Sequence, residues 1–378
     1  MTKQEKQFIS EAVAQINQSV TKDIRIMEVC GTHTYQIAKF GIRKLLSPKI
    51  HLISGPGCPV CVTEPGYIDT LIALLEYENV VVVTFGDLLR VRGSYSSLEE
   101  QMTLGKKVIT VYSPEKVLDI AQSRRNESIV FAAVGFETTT PVYAALIKMA
   151  REQAINNLFL LTSLKRMEPV IQFILGKKSV YVDAMLCPGH VAAITGIAPF
   201  LPITTAYHIP AVICGFEAMD IITSISILCK QMTGEIPIQL INTYKRCVCD
   251  TGNRVALDLI DEVFQIDDAN WRGIGEIKDS GFTLNSSYQA YDALKKFGIH
   301  IQTSTKAFPN VCVCGEVLIG EKTPDRCVNF GCKCTPEHPM GSCMISSEGA
   351  CAAYYRYGGD RIESNHYTQA RGWRTPNK

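Results

Sequence analysis

Short apolar runs rich in β-branched residues recur along the chain, most of them ending in a glycine-bearing loop. They are IRIMEV (24–29) before CGTHT, IHLIS (50–54) before GPGCPVC, and VVVVTF (80–85) before GDLLR. IVFAAV (129–134) precedes GFETTTP, and LFLLTS (158–163), YVDAML (181–186) before CPGH and PAVIC (210–214) before GFEAMD complete the series. Runs apolar throughout read as strands buried on both faces of a parallel sheet. Stretches of helical character lie between them, such as 66–78 and 140–154. The alternation predicts an α/β architecture.

The tripeptide GFE follows a predicted strand twice, at 135–137 and 215–217. The echo suggests two similar parallel-sheet α/β domains, over 24–126 and 127–245. The opening residues suggest an amphipathic helix with Phe8, Ile9, Val13 and Ile16 on one side. After residue 245 turns predominate around one helical stretch at 287–297, and from 312 onward periodicity fades into a cysteine-rich segment. A loose tail is expected from about 364. Residues 1–23 and 246–378 are assigned together to a third domain with little regular structure.

Composition narrows the class. The 378 residues are 46% apolar and 20% charged, with a formal net charge of +1 and dispersed basic residues. That balance argues against nucleic acid or an anionic membrane as partner. Neither a signal-peptide core nor an apolar run of roughly 18 residues is present, so a cytoplasmic location is expected. Fifteen cysteines are then unusual. In a reducing compartment they point to metal or redox chemistry rather than structural disulfides.

Seven of these cysteines fall within residues 312–351: Cys312, Cys314, Cys327, Cys332, Cys334, Cys343 and Cys351. The close pairs are CxC, which suits a zinc ribbon poorly, whereas an iron–sulfur cluster takes four thiolates at flexible spacing. The CxxC of GPGCPVC, Cys58 and Cys61, is open to three readings: a redox dithiol, half of a metal site, or a tight turn. Cys30 of CGTHT is expected to open a helix, whose N-terminus would favour thiolate over thiol. His33 stands three residues on as a potential imidazole ligand; a buried cysteine with a capping threonine is the alternative. Glu137 in GFETTTP and His190 in CPGHV stand at strand-to-helix turns, as helix caps or facing a cleft. Cys247 and Cys249 form a further CxC without a nearby partner. Nucleotide-binding glycine loops are not completed, because Ile171 and Val60 occupy required glycine positions.

Taken together, EVCGTHT, GPGCPVC, TFGDLLRVRGS, GFETTTP, PGHV and SSEGACAAYYRY, spread from about 24 to 358, resemble the HypD family of hydrogenase maturation factors. The family's cysteine pattern, with 14, 6 and 16 intervening residues, is reproduced by Cys312, Cys327, Cys334 and Cys351. The resemblance implies that these four bind a [4Fe-4S] cluster, with Cys314, Cys332 and Cys343 as neighbours. It implies two similar α/β domains plus an iron–sulfur domain partly built from the N-terminus. It further implies a scaffold that, with HypC, holds iron while the Fe(CN)2CO unit of [NiFe]-hydrogenase is assembled. Cyanide would come from HypE with HypF, and the hydrogenase large subunit would be served indirectly. By position Cys30 becomes the iron-binding thiolate with His33 close by, and Cys58 and Cys61 the redox dithiol, beside the cluster as in ferredoxin:thioredoxin reductase. Glu137, His190 and Glu348 are candidates for proton handling or support around the iron. Cys187 and Cys332 are extra thiols that could compete as ligands. The alternatives are a stand-alone iron–sulfur-dependent thiol-disulfide reductase, which would not need Cys30, and a zinc-stabilised binding protein.

Overall fold

The computed structural model describes residues 2–301 and 312–358; the expected loose tail lies outside them. Among the described residues eleven strands form two sheets. In chain order they are β1 (Ile24–Glu28), β2 (Ile50–Ser54), β3 (Val80–Phe85), β4 (Val108–Val111), β5 (Ser128–Gly135) and β6 (Leu158–Lys165). Then come β7 (Ala184–Pro188), β8 (Ala211–Cys214), β9 (Leu240–Asn242), β10 (Phe264–Trp271) and β11 (Gly275–Leu284). One sheet runs β2-β1-β7-β8-β9 and is parallel throughout. The other runs β10-β11-β6-β5-β3-β4, with β3 to β6 parallel and the β10–β11 hairpin added antiparallel along β6. The α/β architecture follows from the apolar runs: Val81, Val82 and Val83 of β3 are wholly buried, and so are Ile129, Val130 and Phe131 of β5.

The sheets do not follow the expected 24–126 and 127–245 division. The chain lays down β1 and β2, crosses to build β3 to β6, returns for β7 to β9, and crosses again for β10 and β11. Thus β1, besides pairing with its sequence neighbour β2, pairs with the distant β7, with Ile26 opposite Ala184. Residues 1–23, expected with the cysteine-rich domain, supply a helix that packs on the first sheet. Helix Lys3–Ser19 buries Ile9 and Ile16 in the core of the first sheet, alongside Ile221, Ile225 and Leu228 of helix Ala218–Met232. Phe8, expected on its buried side, is exposed. Likewise helix Arg254–Val263 and the β10–β11 hairpin complete the second sheet's core through Ile260, Val263, Phe264 and Phe282. In residues 312–358 regular structure is limited to short turns of helix and the closing helix Ala350–Tyr357. The strand begins at Ala184, three residues into YVDAML, and extends through Pro188, so Cys187 lies within β7, fully buried.

Because the strands of each parallel set share a direction, their following loops gather at one end of each sheet, where α/β proteins place ligands. CGTHT follows β1, GPGCPVC follows β2, GHV follows β7 and GFE follows β8.

Candidate functional site

Two adjacent strand ends hold Cys30 against GPGCPVC. Gly55 N donates to Glu28 O at 2.8 Å, and Gly31 N donates to Gly57 O at 3.0 Å. A Cβ at Gly57 would collide with the backbone of Cys30, so only glycine permits this approach. The chain then turns tightly into Cys58 and Cys61, which are joined as a disulfide with their Cα atoms 5.2 Å apart. Both are buried.

Cys30 is the N-cap of helix Gly31–Lys39, as expected, but its thiol is not favoured as thiolate. Burial pushes it up to about 11, and the Glu348 carboxylate adds to the rise. The N–H groups of His33 and Thr32 oppose this without prevailing. The reason is solvation: a few N–H dipoles do not replace the water a buried anion loses. A cation at Cys30 would therefore have to displace the thiol proton.

His33 is fully buried and its pKa is lowered to about 4, chiefly by burial. Nε2–H donates to Gly215 O at 2.9 Å, with Cys214 O at 3.2 Å. Two carbonyl acceptors require the proton on Nε2. The lone pair therefore sits on Nδ1, which has no hydrogen-bond partner among the described residues. The ring stacks on Phe216 at 4.6 Å, and His190 stacks on Phe216 at 3.8 Å. His190 thus joins the Cys30–His33 corner, but on its exposed side. Glu348 joins it from the far end of the chain. Thr32 Oγ1 donates to Glu348 Oε1 at 2.8 Å, and Gly31 leaves no room for a Cβ beside Glu348.

Glu137 lies apart, at the end of β5 in the other sheet. Its Oε1 accepts from Met167 N at 2.8 Å, while Oε2 has no partner among the described residues. Burial pushes its carboxyl up to about 7. A folded-state value above the unfolded 4.5 contributes stability that is full below pH 4.5 and lost as pH rises through about 7. Glu137→Gln keeps the Oε1 acceptor and removes the charge. Its unfolding free energy is expected to fall less between about pH 5 and 8 than that of the parent, by up to about 3 kcal/mol. Parallel stability profiles in urea titrations across that range would overturn a neutral buried carboxyl.

The cysteine-rich segment draws six thiols together. Cys312 Sγ lies 3.2 Å from Cys314 Sγ. Cys314 also interacts with Cys343 and Cys351, and these hydrogen bonds, that of Cys312 first, hold its thiol far below the usual range. Cys334 faces Cys314 and Cys327, and Met340 N donates to Cys334 Sγ at 3.3 Å. Cys314 and Cys343 are therefore central to the group rather than peripheral. Cys332 is exposed, with its Sγ on Val328 O at 3.3 Å. Among the described residues no three His, Cys, Asp or Glu side chains stand in metal-coordinating geometry. The donor chemistry nevertheless fits a thiolate-held iron–sulfur cluster: soft sulfurs converge, with a backbone N–H directed at one of them.

The disulfide abuts this segment. Ser342 Oγ donates to Cys61 O at 2.8 Å, and Cys61 Sγ lies 3.8 Å from Ser342 O. Ser342 precedes Cys343 directly, and no sequence signal marked it. Lys165 was also missed, although a lysine ending the apolar run LFLLTSLK is a visible anomaly. It is buried at the end of β6, with Nζ donating to Asn270 O at 2.8 Å. Burial lowers it to about 8, against the opposing attraction of Glu64, three residues beyond Cys61.

Comparison with known proteins agrees with the motifs. The sequence model of the HypD family, described as "Hydrogenase formation hypA family", matches residues 6–358. A protein of Methanocaldococcus jannaschii is 40% identical over 353 residues, covering 93% of this chain and 97% of its own. The hydrogenase maturation factor HypD of Rhodobacter capsulatus is 38% identical over 357 residues, covering 93% of this chain and 94% of its own. That of Escherichia coli is 37% identical with the same coverage. No helix of the described residues is long and apolar enough to cross a membrane. With a corner of Cys30, His33 and Glu348, a CxxC loop and a cysteine-rich segment in mutual contact, and with relatives matched along nearly their whole length, the chain belongs to the HypD family of hydrogenase maturation factors.

Proposed function

We propose that this chain is the scaffold on which, with a HypC partner, the Fe(CN)2CO unit of a [NiFe]-hydrogenase is assembled. Cys30 is the thiolate anchor of the iron, and His33 Nδ1 lends an imidazole lone pair or holds the corner in shape. Cyanide is delivered by HypE with HypF. Cys312, Cys327, Cys334 and Cys351 are assigned to a [4Fe-4S] cluster, which when bound would supply single electrons.

One observation carries the reading: the CxxC loop lies between the other two groups. Gly57 is bonded to the Cys30 turn on one side, and Cys61 to Ser342 of the cysteine-rich segment on the other. A dithiol there stands beside both an iron anchor and an electron store. Opening the disulfide to two thiols takes two electrons and two protons, and the buried loop keeps bulk water from those sulfurs. Cyanide and CO require low-spin ferrous iron in soft ligation, which a thiolate provides.

The test is anaerobic co-purification with the HypC partner followed by infrared spectroscopy. Bands of metal-bound cyanide and CO are expected on the complex. A complex that carries iron–sulfur colour and reduces disulfides but never shows those bands would instead make the chain a thiol-disulfide reductase.

A further inference from the structure

The motif RVRGS (90–94) has no part in the chemistry above, yet it is built with care. Asp69 of helix Pro65–Leu74 accepts from Ser94 N at 2.7 Å and from Ser94 Oγ at 2.6 Å, which pins the turn. The pinned turn presents the Arg92 carbonyl to Arg272, whose Nη2 donates to it at 2.8 Å. Arg272 sits at the tip of the β10–β11 hairpin. Its backbone N donates to Val62 O at 2.8 Å, immediately after Cys61. The next residue, Gly273, packs backbone to backbone against Gly315, immediately after Cys314. The hairpin tip therefore touches both the CxxC loop and the cysteine-rich segment. Nη1 has no exposure to solvent. The thiols of Cys314, Cys312 and Cys343 and the carboxylate of Asp69 act electrostatically on the guanidinium.

A guanidinium stays charged where a lysine can lose its proton. Four thiolates around an iron–sulfur cluster leave a net negative charge, and each added electron increases it. A fixed cation at close range, partly screened from water, stabilises the reduced form more than the oxidised one. We propose that Arg272 is the counter-cation of the iron–sulfur centre, raising its reduction potential, and that the Asp69–Ser94 turn positions it for this. The inference rests on the assignment of a cluster to the cysteine-rich segment.

The wild type, Arg272→Lys and Arg272→Gln are to be purified anaerobically and assayed for iron and sulfide. The cluster is then titrated potentiometrically with electron paramagnetic resonance as readout, and thermal unfolding is recorded. The wild type and Arg272→Lys should share a potential. Arg272→Gln should fall by at least a tenfold change in the one-electron equilibrium, about 59 mV, with iron content and melting temperature near those of Arg272→Lys. Loss of the cluster from Arg272→Gln alone also supports the proposal, since the charge is then needed for assembly. An unchanged potential in Arg272→Gln overturns it. So do equal shifts, or equal cluster loss, in both variants, which would make Arg272 a packing residue. A wild type that takes up no iron and sulfide overturns the cluster assignment itself, and the inference with it.

Discussion

Replacing Cys30 with alanine is expected to leave a folded, iron–sulfur-coloured protein that has lost every cyanide and CO band of its complex with the HypC partner. The reasoning is local. The side chain is small and its removal from a buried N-cap position costs about 1–2 kcal/mol, which a chain of this size tolerates. The backbone bond from Gly31 N to Gly57 O does not depend on the sulfur. What disappears is the thiol that the corner of His33, Thr32 and Glu348 surrounds. Its value of about 11 means that the metal-free protein holds it protonated; iron must displace that proton, and without the sulfur nothing replaces the bond. His33→Ala should weaken iron retention less, because Nδ1 is at most a second donor and its loss leaves the thiolate in place. If Cys30→Ala still carried the cyanide and CO bands, the anchor would lie elsewhere, and Cys58 and Cys61 would be next in line.

The second large effect concerns the cysteine-rich segment. Alanine at Cys312, Cys327, Cys334 or Cys351 should each abolish the brown colour and reduce bound iron from roughly four atoms per chain toward none, as a four-thiolate [4Fe-4S] centre requires. Cys332→Ala should retain both, since Cys332 is exposed and turned to Val328 O. Cys343→Ala should also retain the colour, at some cost in stability because the residue is fully buried. The informative variant is Cys314→Ala. In the structure Cys314 is the thiol that the others surround. Bleaching by Cys314→Ala together with colour retained in one of the four named variants would move the ligand assignment to Cys314.

The differences between expectation and structure have specific physical causes. Helix-end dipoles suggested an activated Cys30, yet burial outweighs them, and burial is a property of everything packed around a residue rather than of its neighbours in sequence. The family resemblance, not local spacing, set Cys314 and Cys343 apart from the four assigned ligands, because segment 312–351 has too little regular structure for sequence distance to report spatial distance. Arg272 and Ser342 belong to no motif with catalytic residue types; their role comes from which loops touch them.

What the sequence determined by itself is the set of elements and their chemistry. Continuous apolar runs such as VVVVTF can be stable only when buried on both faces, so seven strands of an α/β fold were legible from composition and period. The glycines of GPGCPVC, the clustered thiols and the ordered series of motifs named the reactive groups. Tertiary structure alone decided which strands share a sheet. Every buried parallel strand offers the same backbone pattern to its neighbours, so nothing local tells β1 to pair with β7, more than 150 residues away, rather than with β3. That pairing places Cys214, Gly215 and Phe216 against His33 and decides which of its nitrogens is free. Packing of the segment around 342–348 onto these loops brings Glu348 to the Cys30 turn and Ser342 to Cys61. These are contacts between segments hundreds of residues apart, governed by packing of the whole chain and therefore absent from any local pattern.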